Sequence, residues 1–220
     1  GMSATPPLRS YGRIKARPVK PRQAALLDTL LPRLRVPDGP VTIEGETWLE
    51  IGFGGGEHLA GQAARRPDVT LLGAEPFVNG VASALRHIEA AGLANVRLHP
   101  GDARELLARL PEHSVARVFI LFPDPWPKAR HHKRRLVQPE TVAELARVLQ
   151  PGGRLRFATD WADYAEQALE RFLREPRLEW LAETPGDWTT PPPDHIATRY
   201  EAKRLGDTAP IFLEFLRVEV

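Results

Sequence analysis

The feature that most constrains the fold of this chain is a regular alternation of short apolar runs with amphipathic segments. Each run is followed by residues whose apolar members recur at helical spacing. The runs are TWLEIGF, VTLLGAEP, NVRLHPGD, VARVFILF and RLRFATD. Strands that alternate with helices favour a parallel sheet with helices on both faces, and near-continuous apolar strands fit burial on both sides. We therefore predict an α/β fold built on a doubly wound, mostly parallel sheet.

The helix ends and the last part of the chain complete this expectation. Pro139 is expected in the first turn of one helix, and Gly92 is expected to stop another. The pair at 152–153 is expected to stop a third helix, and Asp160 to cap the next one. The runs LEWLAET and APIFLEFLRVEV predict two closing strands, one of them antiparallel. The long Pro-rich loop between them is of a kind that is usually functional.

The positive charge of the chain is unevenly distributed. The formal net charge is only +2, yet residues 1–27 and 125–139 contain several Lys and Arg residues and no acid. We predict a basic, mobile N-terminal arm over residues 1–22, followed by a single domain over 23–220. Chance clustering on a solvated surface is the alternative for either stretch alone. The two stretches together indicate a polyanionic partner.

Composition excludes several classes of protein. Because the chain has no cysteine, it cannot form disulfides or thiolate metal sites, and it cannot use a Cys nucleophile. No stretch of about eighteen apolar residues is present, so we predict no membrane span. His131 and His132 are adjacent but lack further ligands at metal spacing, so no metal is predicted. A cytoplasmic location fits these features.

A glycine-rich turn, LEIGFGGG, follows the first predicted strand. Gly52, Gly54 and Gly56 are spaced Gly-x-Gly-x-Gly, and Glu57 stands where a dinucleotide fingerprint has its third glycine. This departure disfavours an NAD-dependent enzyme. A lone glycine turn is a weak signal, because many such turns only join a strand to a helix.

Three acids at successive strand ends strengthen the signal. Glu50 precedes the glycine turn, Glu75 ends the second strand, where an acid bonds a ribose diol, and Asp102 ends the third, near an adenine amino group. The set suits a ligand with an ammonium group, a ribose and an adenine, which is S-adenosylmethionine. Each acid also has a simpler alternative: Glu50 could pair with an arginine, Glu75 could be solvated, and Asp102 could cap the following helix.

The fourth strand ends in an unusual sequence, FPDPWPKARHHKRR. Taken with EIGFGGG, ATDWADYAE and TRYE, it resembles the bacterial tRNA (guanine-N7)-methyltransferase family in order and spacing over nearly the whole chain. The resemblance implies a class I S-adenosylmethionine-dependent methyltransferase with a Rossmann-like sheet. Its implied substrate is the variable-loop guanosine, position 46, of tRNA, and its implied state is a monomer or homodimer. Tyr200, where the family often has Phe, and the looser Arg-rich RSYGRIKAR are departures.

The resemblance also implies roles for individual residues. It makes Glu50, Glu75, Asp102 and Asp124 the acids that contact the cofactor, with Asp124 as the catalytic residue. The implied substrate contacts are Lys128, Asp160, Thr198, Arg199, Tyr200 and Glu201. The simpler alternatives are a helix cap for Asp160 and an exposed loop end for the segment 198–201.

The chemistry of guanine N7 limits what Asp124 has to do. N7 is an in-plane lone pair with no proton to lose, so no general base is needed. Positive charge appears on the purine as the methyl group arrives, and a nearby carboxylate stabilises it. At about 4 Å and an effective dielectric of about 20, a charge pair is worth roughly 4 kcal/mol. Only part of this is differential, so we expect Asp124 to contribute on the order of 2 kcal/mol, and to accept hydrogens from guanine N1 and the 2-amino group.

The residues around Asp124 have predicted roles of their own. The flanking prolines fix the backbone, and Trp126 is either a stacking surface for the extruded base or a packing residue. Lys128 and the cations after it are expected to meet phosphates of the RNA backbone. Those cations are Arg130, Lys133, Arg134 and Arg135.

Two other functions stay open at this point. A methyltransferase of an exocyclic base amine has a related loop, but there the polar residue comes first, whereas here Pro123 precedes Asp124. A Rossmann-like domain that only binds RNA is the other alternative, and it predicts no binding of S-adenosylmethionine.

Overall fold

The computed structural model describes residues 18–220, which form a seven-stranded sheet with helices on both faces. The predicted basic arm at residues 1–22 falls mainly on residues 1–17, outside this range, and the first helix begins at Pro21. The strands are β1 (Thr47–Ile51), β2 (Thr70–Ala74), β3 (Val96–His99), β4 (Val115–Leu121), β5 (Leu149–Thr159), β6 (Leu178–Trp180) and β7 (Ile211–Arg217).

The sheet has the order β3-β2-β1-β4-β5-β7-β6, and β7 is the antiparallel strand. Ile51 at the end of β1 pairs with Ala74 of β2 and with Ile120 of β4, so these three strands end at the same level. The order reverses between β1 and β4, and ligands of open α/β sheets bind at the carboxyl ends of the strands at such a point. The predicted fold class is confirmed.

The helices lie where the amphipathic segments predict them. They are α1 (Pro21–Thr29), α2 (Leu31–Leu34), α3 (Glu57–Arg65), α4 (Val78–Ala91), α5 (Ala103–Arg109), α6 (Pro139–Val148), α7 (Ala162–Leu173), α8 (Gly186–Thr189) and α9 (Arg199–Ala202). The segment PRQAALLDTLLPRL before β1 has apolar residues at helical spacing, and it forms two helices, α1 and α2. Pro139 begins α6, and Gly92 caps α4 in the left-handed conformation, both as expected.

Two apolar cores flank the sheet. One includes Leu106, Leu145 and Phe172 of α5, α6 and α7. The other includes Leu26 and Leu59 from α1 and α3, with α2 and α4 on the same side. Strand side chains alternate between these layers, so both faces are covered, which explains why the strands read as continuous apolar runs.

Two expected helix boundaries are wrong. Gly152 and Gly153 do not stop α6, which ends at Val148, and they lie inside β5 instead. Asp160 does not cap α7: the N-cap residue is Trp161, and the carboxylate of Asp207 accepts the Ala162 N–H at 2.9 Å. The cap therefore comes from a distant loop, which no local pattern could indicate.

The long loop between β6 and β7 runs back to the carboxyl edge of the sheet. It contains α8 and α9, and it forms hydrogen bonds with α3, β4, β5 and the residue that follows β5. The backbone oxygen of Asp194 accepts from the Gln62 side chain at 2.8 Å. Further along, the Gly206 N–H donates to Asp160 Oδ2 at 3.3 Å. The contact with Asp160 holds the last part of the loop at the carboxyl ends of the central strands, whereas Asp194 lies toward their amino ends.

Candidate active site

The glycine turn after β1 is a left-handed turn packed against α4. Gly52, Gly54 and Gly56 have φ of 67°, 58° and 85°, values that L side chains rarely adopt. A Cβ at Gly56 would lie 2.5 Å from Ala84 Cβ, and one at Gly80 only 2.2 Å from the Gly54 oxygen. A Cβ on Gly52 or Gly54 would meet no atom within 4 Å. Gly56 and Gly80 are therefore required for packing of the turn against α4, whereas the side of the turn at Gly52 and Gly54 faces open space.

Glu50 lies under this turn, on β1, and is 2% exposed. Its Oε1 is 2.6 Å from Nδ1 of His58, which is fully buried in the first turn of α3. The alternative of an arginine partner is thus not what the structure contains: the partner is a histidine. A carboxylate fixed in this way at the end of β1 is placed to receive a positively charged group entering above the glycine turn.

Glu75 and Asp102 end the next two strands. Glu75 is mostly buried, and its two oxygens accept the N–H groups of Gly54 and Phe77, each at 2.9 Å. The glycine turn is therefore tied to the end of β2. Asp102 caps α5 by accepting the Arg104 N–H at 2.9 Å and also pairs with the Arg104 guanidinium at 2.7 Å. Burial acts to raise the pKa of Asp102, but the hydrogen bonds and charge of Arg104 hold it below its ordinary value.

The loop after β4 carries Asp124 between two strained residues. Phe122 and Trp126 have positive φ, 54° and 42°, which is unusual for bulky side chains and typical of functional loops. The Asp124 side chain is half-buried. Because β4 lies beside β1 and ends at the same level, this loop and the glycine turn share one edge of the sheet.

Four cations follow this loop on a short, exposed segment. Ala129–Arg134 forms a 3₁₀ helix, and we call the stretch Lys128–Arg134 the basic helical turn. Lys128, Arg130, Lys133 and Arg134 are exposed. The Arg134 guanidinium lies 4.9 Å from the centre of the Trp126 ring, and the His131 ring lies at 5.9 Å. Trp126 is therefore partly buried by its own loop.

Arg135 does not belong to this exposed set. It is 1% exposed, and its guanidinium donates to the Pro125 oxygen at 2.7 Å and to Asp163 at 2.8 Å. It also lies 4.6 Å from the Tyr164 ring centre. The expectation that Arg135 contacts RNA phosphate is wrong, because its guanidinium is buried and paired with Asp163. Arg135 holds the loop of Asp124 from below.

Asp160 ends β5 on the same edge and is 3% exposed. Burial raises its pKa, and the charges of Asp207 and Glu201 add to this despite backbone hydrogen bonds, including one from Gly206. No cation among residues 18–220 forms an ion pair with it. The carboxyl group is held by the loop after β6.

The segment Thr198–Glu201 also reaches this edge. Thr198 caps α9 by accepting the Glu201 N–H at 3.2 Å, and the Arg199 N–H donates to Glu57 Oε1 at 3.3 Å. The Tyr200 ring is 6.4 Å from that of Phe122, directly before the loop of Asp124. The four motifs that are far apart in sequence therefore meet at the carboxyl ends of β1, β4 and β5.

A buried polar network behind the site escaped the sequence analysis. His58 Nε2 is 3.2 Å from Gln62 Nε2, which bonds the Asp194 backbone oxygen. The Asp194 carboxylate accepts from Arg117 at 2.8 Å and from Arg156 at 2.7 Å. His58 and Gln62 stand four residues apart on α3, so they share one helix face. This four-residue spacing is the sequence signal from which a polar pair on α3 could have been predicted.

These arginines line a cleft on the opposite side of the network. It has a volume of about 590 Å³ and lies toward the amino ends of β1, β4 and β5. We call it the arginine cleft; its lining includes Arg65, Arg66, Arg117, Arg154 and Arg156 together with Asp194 and Glu214. It is separate from the edge that carries the glycine turn.

The predicted absence of a metal site and of a membrane span can be compared with the structure only over residues 18–220. Within them, no group of three or more His, Asp or Glu side chains is arranged to hold a metal ion. No described helix has both the length and the apolar character needed to cross a membrane.

The fold and the edge site together define a class I methyltransferase that uses S-adenosylmethionine. The strand order with β7 antiparallel, the open space before the glycine turn and the buried acids Glu50 and Glu75 fit a ligand with an ammonium group and a ribose. Comparisons with known proteins identify the family. Residues 44–213 match a protein-family model described as "Putative methyltransferase".

A curated relative from Caulobacter sp., named tRNA (guanine-N(7)-)-methyltransferase, is 61% identical over 218 residues, covering 96% of each chain. This chain belongs to the tRNA (guanine-N7)-methyltransferase family.

Solved structures share the fold at much lower identity. An rRNA methylase from Streptococcus thermophilus has a TM-score of 0.54 at 13% identity, covering 80% of this chain and 89% of its own. A 16S rRNA (adenine(1408)-N(1))-methyltransferase from Catenulisporales acidiphilia, solved with its cosubstrate S-adenosylmethionine, has a TM-score of 0.52 at 17% identity, covering 79% and 86%. These likenesses support the architecture alone.

Proposed function

We propose that this enzyme transfers a methyl group from S-adenosylmethionine to N7 of the variable-loop guanosine, position 46, of tRNA. The observation that carries the proposal is the meeting of the glycine turn, the loop of Asp124 and the basic helical turn at one edge of the sheet. Such an edge offers a cofactor site, a carboxylate and exposed cations to one RNA. We also propose a cytoplasmic location, which suits a tRNA substrate, and a monomer or homodimer.

The cofactor side of the site is assigned to the acids at the strand ends. Glu50 takes the amino group, and Glu75, which is fixed by the Gly54 and Phe77 N–H groups, takes the ribose hydroxyls. Asp102 takes the adenine amino group from its position before α5. When bound, S-adenosylmethionine supplies an activated methyl group on a sulfonium.

The substrate side is assigned to the loop after β4. Asp124 stabilises the positive charge that develops on the purine and accepts hydrogens from guanine N1 and the 2-amino group. It does not abstract a proton, because N7 carries none. Trp126, relieved of its contacts with His131 and Arg134, offers a surface for the base. Arg135 fixes the backbone of this loop through the Pro125 oxygen.

The RNA contacts are assigned to groups around this loop that range from exposed cations to the buried Asp160. Lys128, Arg130, Lys133 and Arg134 bind phosphates. The segment Thr198–Glu201 and Asp160 contact the nucleotide from the opposite side, since the Tyr200 ring lies beside Phe122.

The decisive experiment incubates the protein with S-adenosylmethionine and unmodified tRNA, followed by nucleoside analysis and mapping of the modified position. We expect 7-methylguanosine in the variable loop, and no product from a matched tRNA with adenosine at that position. A methylated exocyclic amine in the product would favour the first alternative. If thermal denaturation shows no stabilisation by S-adenosylmethionine, the protein is an RNA-binding domain instead.

A further inference from the structure

The hydrogen-bond chain behind Glu50 defines a tautomer of His58. The amide nitrogen of Gln62 lies 2.8 Å from the Asp194 backbone oxygen, and a carbonyl oxygen can only accept. The side-chain amide is therefore oriented with its NH₂ group toward Asp194 and toward His58 Nε2, 3.2 Å away. An amide nitrogen only donates, so His58 Nε2 must accept. The ring proton then resides on Nδ1, which donates to Glu50 Oε1 at 2.6 Å.

The chain is anchored at its far end by charge. Gln62 Oε1 accepts from Arg65, whose guanidinium also donates to the Asp194 oxygen at 3.0 Å. The Asp194 carboxylate is held by Arg117 and Arg156. Because this backbone segment is clamped, Gln62 has one orientation, and the proton position on His58 follows from it.

The segment that contains Asp194 leads directly to residues 198–201, which are assigned to the substrate. His195, next to Asp194, has its ring centre 5.8 Å from that of His58 and 4.9 Å from that of Phe212. Its Nε2 is 2.8 Å from Glu201 Oε2. The acid below the glycine turn and the acid of α9 are thus oriented by two adjacent histidines packed on each other.

We infer that His58 and Gln62 are positioning residues that orient the Glu50 carboxylate for the amino group of S-adenosylmethionine. With Oε1 held by the His58 N–H, the second oxygen of Glu50 is left to face the cofactor. The inference rests on the proposed assignment of Glu50 to that amino group. It adds two residues of α3 that contact neither cofactor nor RNA.

The test uses two substitutions that separate hydrogen bonding from packing. His58→Phe keeps a ring of similar size and removes the donor, whereas His58→Asn leaves a cavity but retains an amide N–H close to the position of Nδ1. If His58 positions Glu50, the Phe variant should bind S-adenosylmethionine about ten-fold more weakly, as expected for losing a hydrogen bond to a charged group. Its kcat at saturating cofactor should change much less. The Asn variant should bind within about three-fold of wild type, although it is thermally less stable.

The direct readout is the nitrogen-15 spectrum of the full-length protein, with His58 assigned by comparison with the Asn variant. We expect the proton on Nδ1, a state that a purely packing role would not require. The inference is overturned if the His58→Phe variant binds S-adenosylmethionine as tightly as the wild type does, or if the proton of His58 lies on Nε2. Failure of the wild-type protein to bind S-adenosylmethionine would instead overturn the proposed function along with it.

Discussion

The basic helical turn and the arginine cleft both concentrate positive charge, but they differ in where the balancing charge lies. In the cleft, Asp194 pairs with Arg117 and Arg156, and Glu214 lies 2.9 Å from Arg156. In the basic helical turn, none of the four exposed cations lies within ion-pair distance of a carboxylate that the structure describes. Half-buried charges need partners, whereas exposed ones are solvated until a polyanion arrives. Pairing, and not the number of cations, separates structural arginines from candidate RNA contacts.

Arg135 shows how narrow this distinction is in sequence. It follows Arg134 directly, yet its guanidinium is buried against Asp163 and Tyr164. Arg135 is therefore similar to the arginines of the cleft in having a carboxylate partner within the protein, although it stands in the basic run.

The largest expected effect is on the cleft. Asp194→Asn would remove one of the two carboxylates that pair with Arg117 and Arg156 and leave them only Glu214, at a cost of about 3 kcal/mol, or roughly 6–12 °C in Tm. The matched control is Asp68→Asn, which breaks the exposed pair with Arg66 and should leave the Tm nearly unchanged, because solvent screens this pair. Equal losses in the two variants would contradict the comparison.

The pH dependence of the Asp194 effect has a definite sign. Burial acts to raise the pKa of Asp194, but hydrogen bonds and charge from Arg117 and Arg156 hold it well below its ordinary value. A carboxyl group with a lowered pKa contributes stability above its ordinary pKa and loses it as the pH falls through the folded-state value. The Tm difference between wild type and Asp194→Asn should therefore narrow below about pH 4. A constant difference down to pH 2 would count against the ion pairs.

The second effect is on the rate. Asp124→Asn removes the charge that we propose stabilises the methylated purine, so single-turnover methylation should slow by one to two factors of ten, on the order of 2 kcal/mol. Asp187→Asn, an exposed acid on α8, serves as the control and should leave the rate unchanged. Full activity of the folded Asp124 variant on tRNA would refute its assigned role.

The third effect is on salt dependence. The combined variant Arg130→Ala, Lys133→Ala and Arg134→Ala should lower the slope of log affinity for tRNA against log salt by about 2–3. Its Tm should stay within about 2 °C of wild type, because the three side chains are exposed. Arg135→Ala is the control with the opposite profile, a lower Tm and an unchanged slope. An unchanged slope in the combined variant would remove these residues from the RNA surface.

The smallest effect concerns Asp160, an acid without a described cationic partner. Burial raises the pKa of Asp160, so the charged carboxylate destabilises the folded protein. This loss of stability begins as the pH rises above the ordinary pKa of an aspartate and is complete above the pKa in the folded protein. Asp160→Asn should therefore raise Tm at pH 7 by about 2–4 °C, and the gain should vanish in acid. The neighbouring Asp207→Ala should lower Tm instead, since it removes the cap of α7. A lower Tm for Asp160→Asn at pH 7 would show that the carboxylate is stabilising.

Local patterns were sufficient for the sheet and for the site edge. Apolar runs and their helical neighbours predicted β1 to β5 in order, and strand ends predicted where Glu50, Glu75 and Asp124 meet. Long-range contacts were not predictable in this way. The clamp of Arg135 on Pro125 and the cap of α7 by Asp207 each join segments whose proximity only the folded chain creates.

The network behind Glu50 illustrates the intermediate case. The four-residue spacing of His58 and Gln62 predicts that they share one face of α3, but their interaction depends on Asp194, more than a hundred residues away. A histidine after a glycine turn has no distinctive pattern unless its partners are known. Physical reading of the sequence therefore reached the groups that we propose face the ligands and missed those that we propose orient them.

The position of β7 between β5 and β6 has a consequence for how the enzyme is made. During translation β6 leaves the ribosome before it has any partner, and the flank of β5 stays open until Ile211–Arg217 has been synthesised. The sheet cannot close progressively, and a nascent polypeptide stalled before that point would expose an unprotected edge to aggregation or to chaperones.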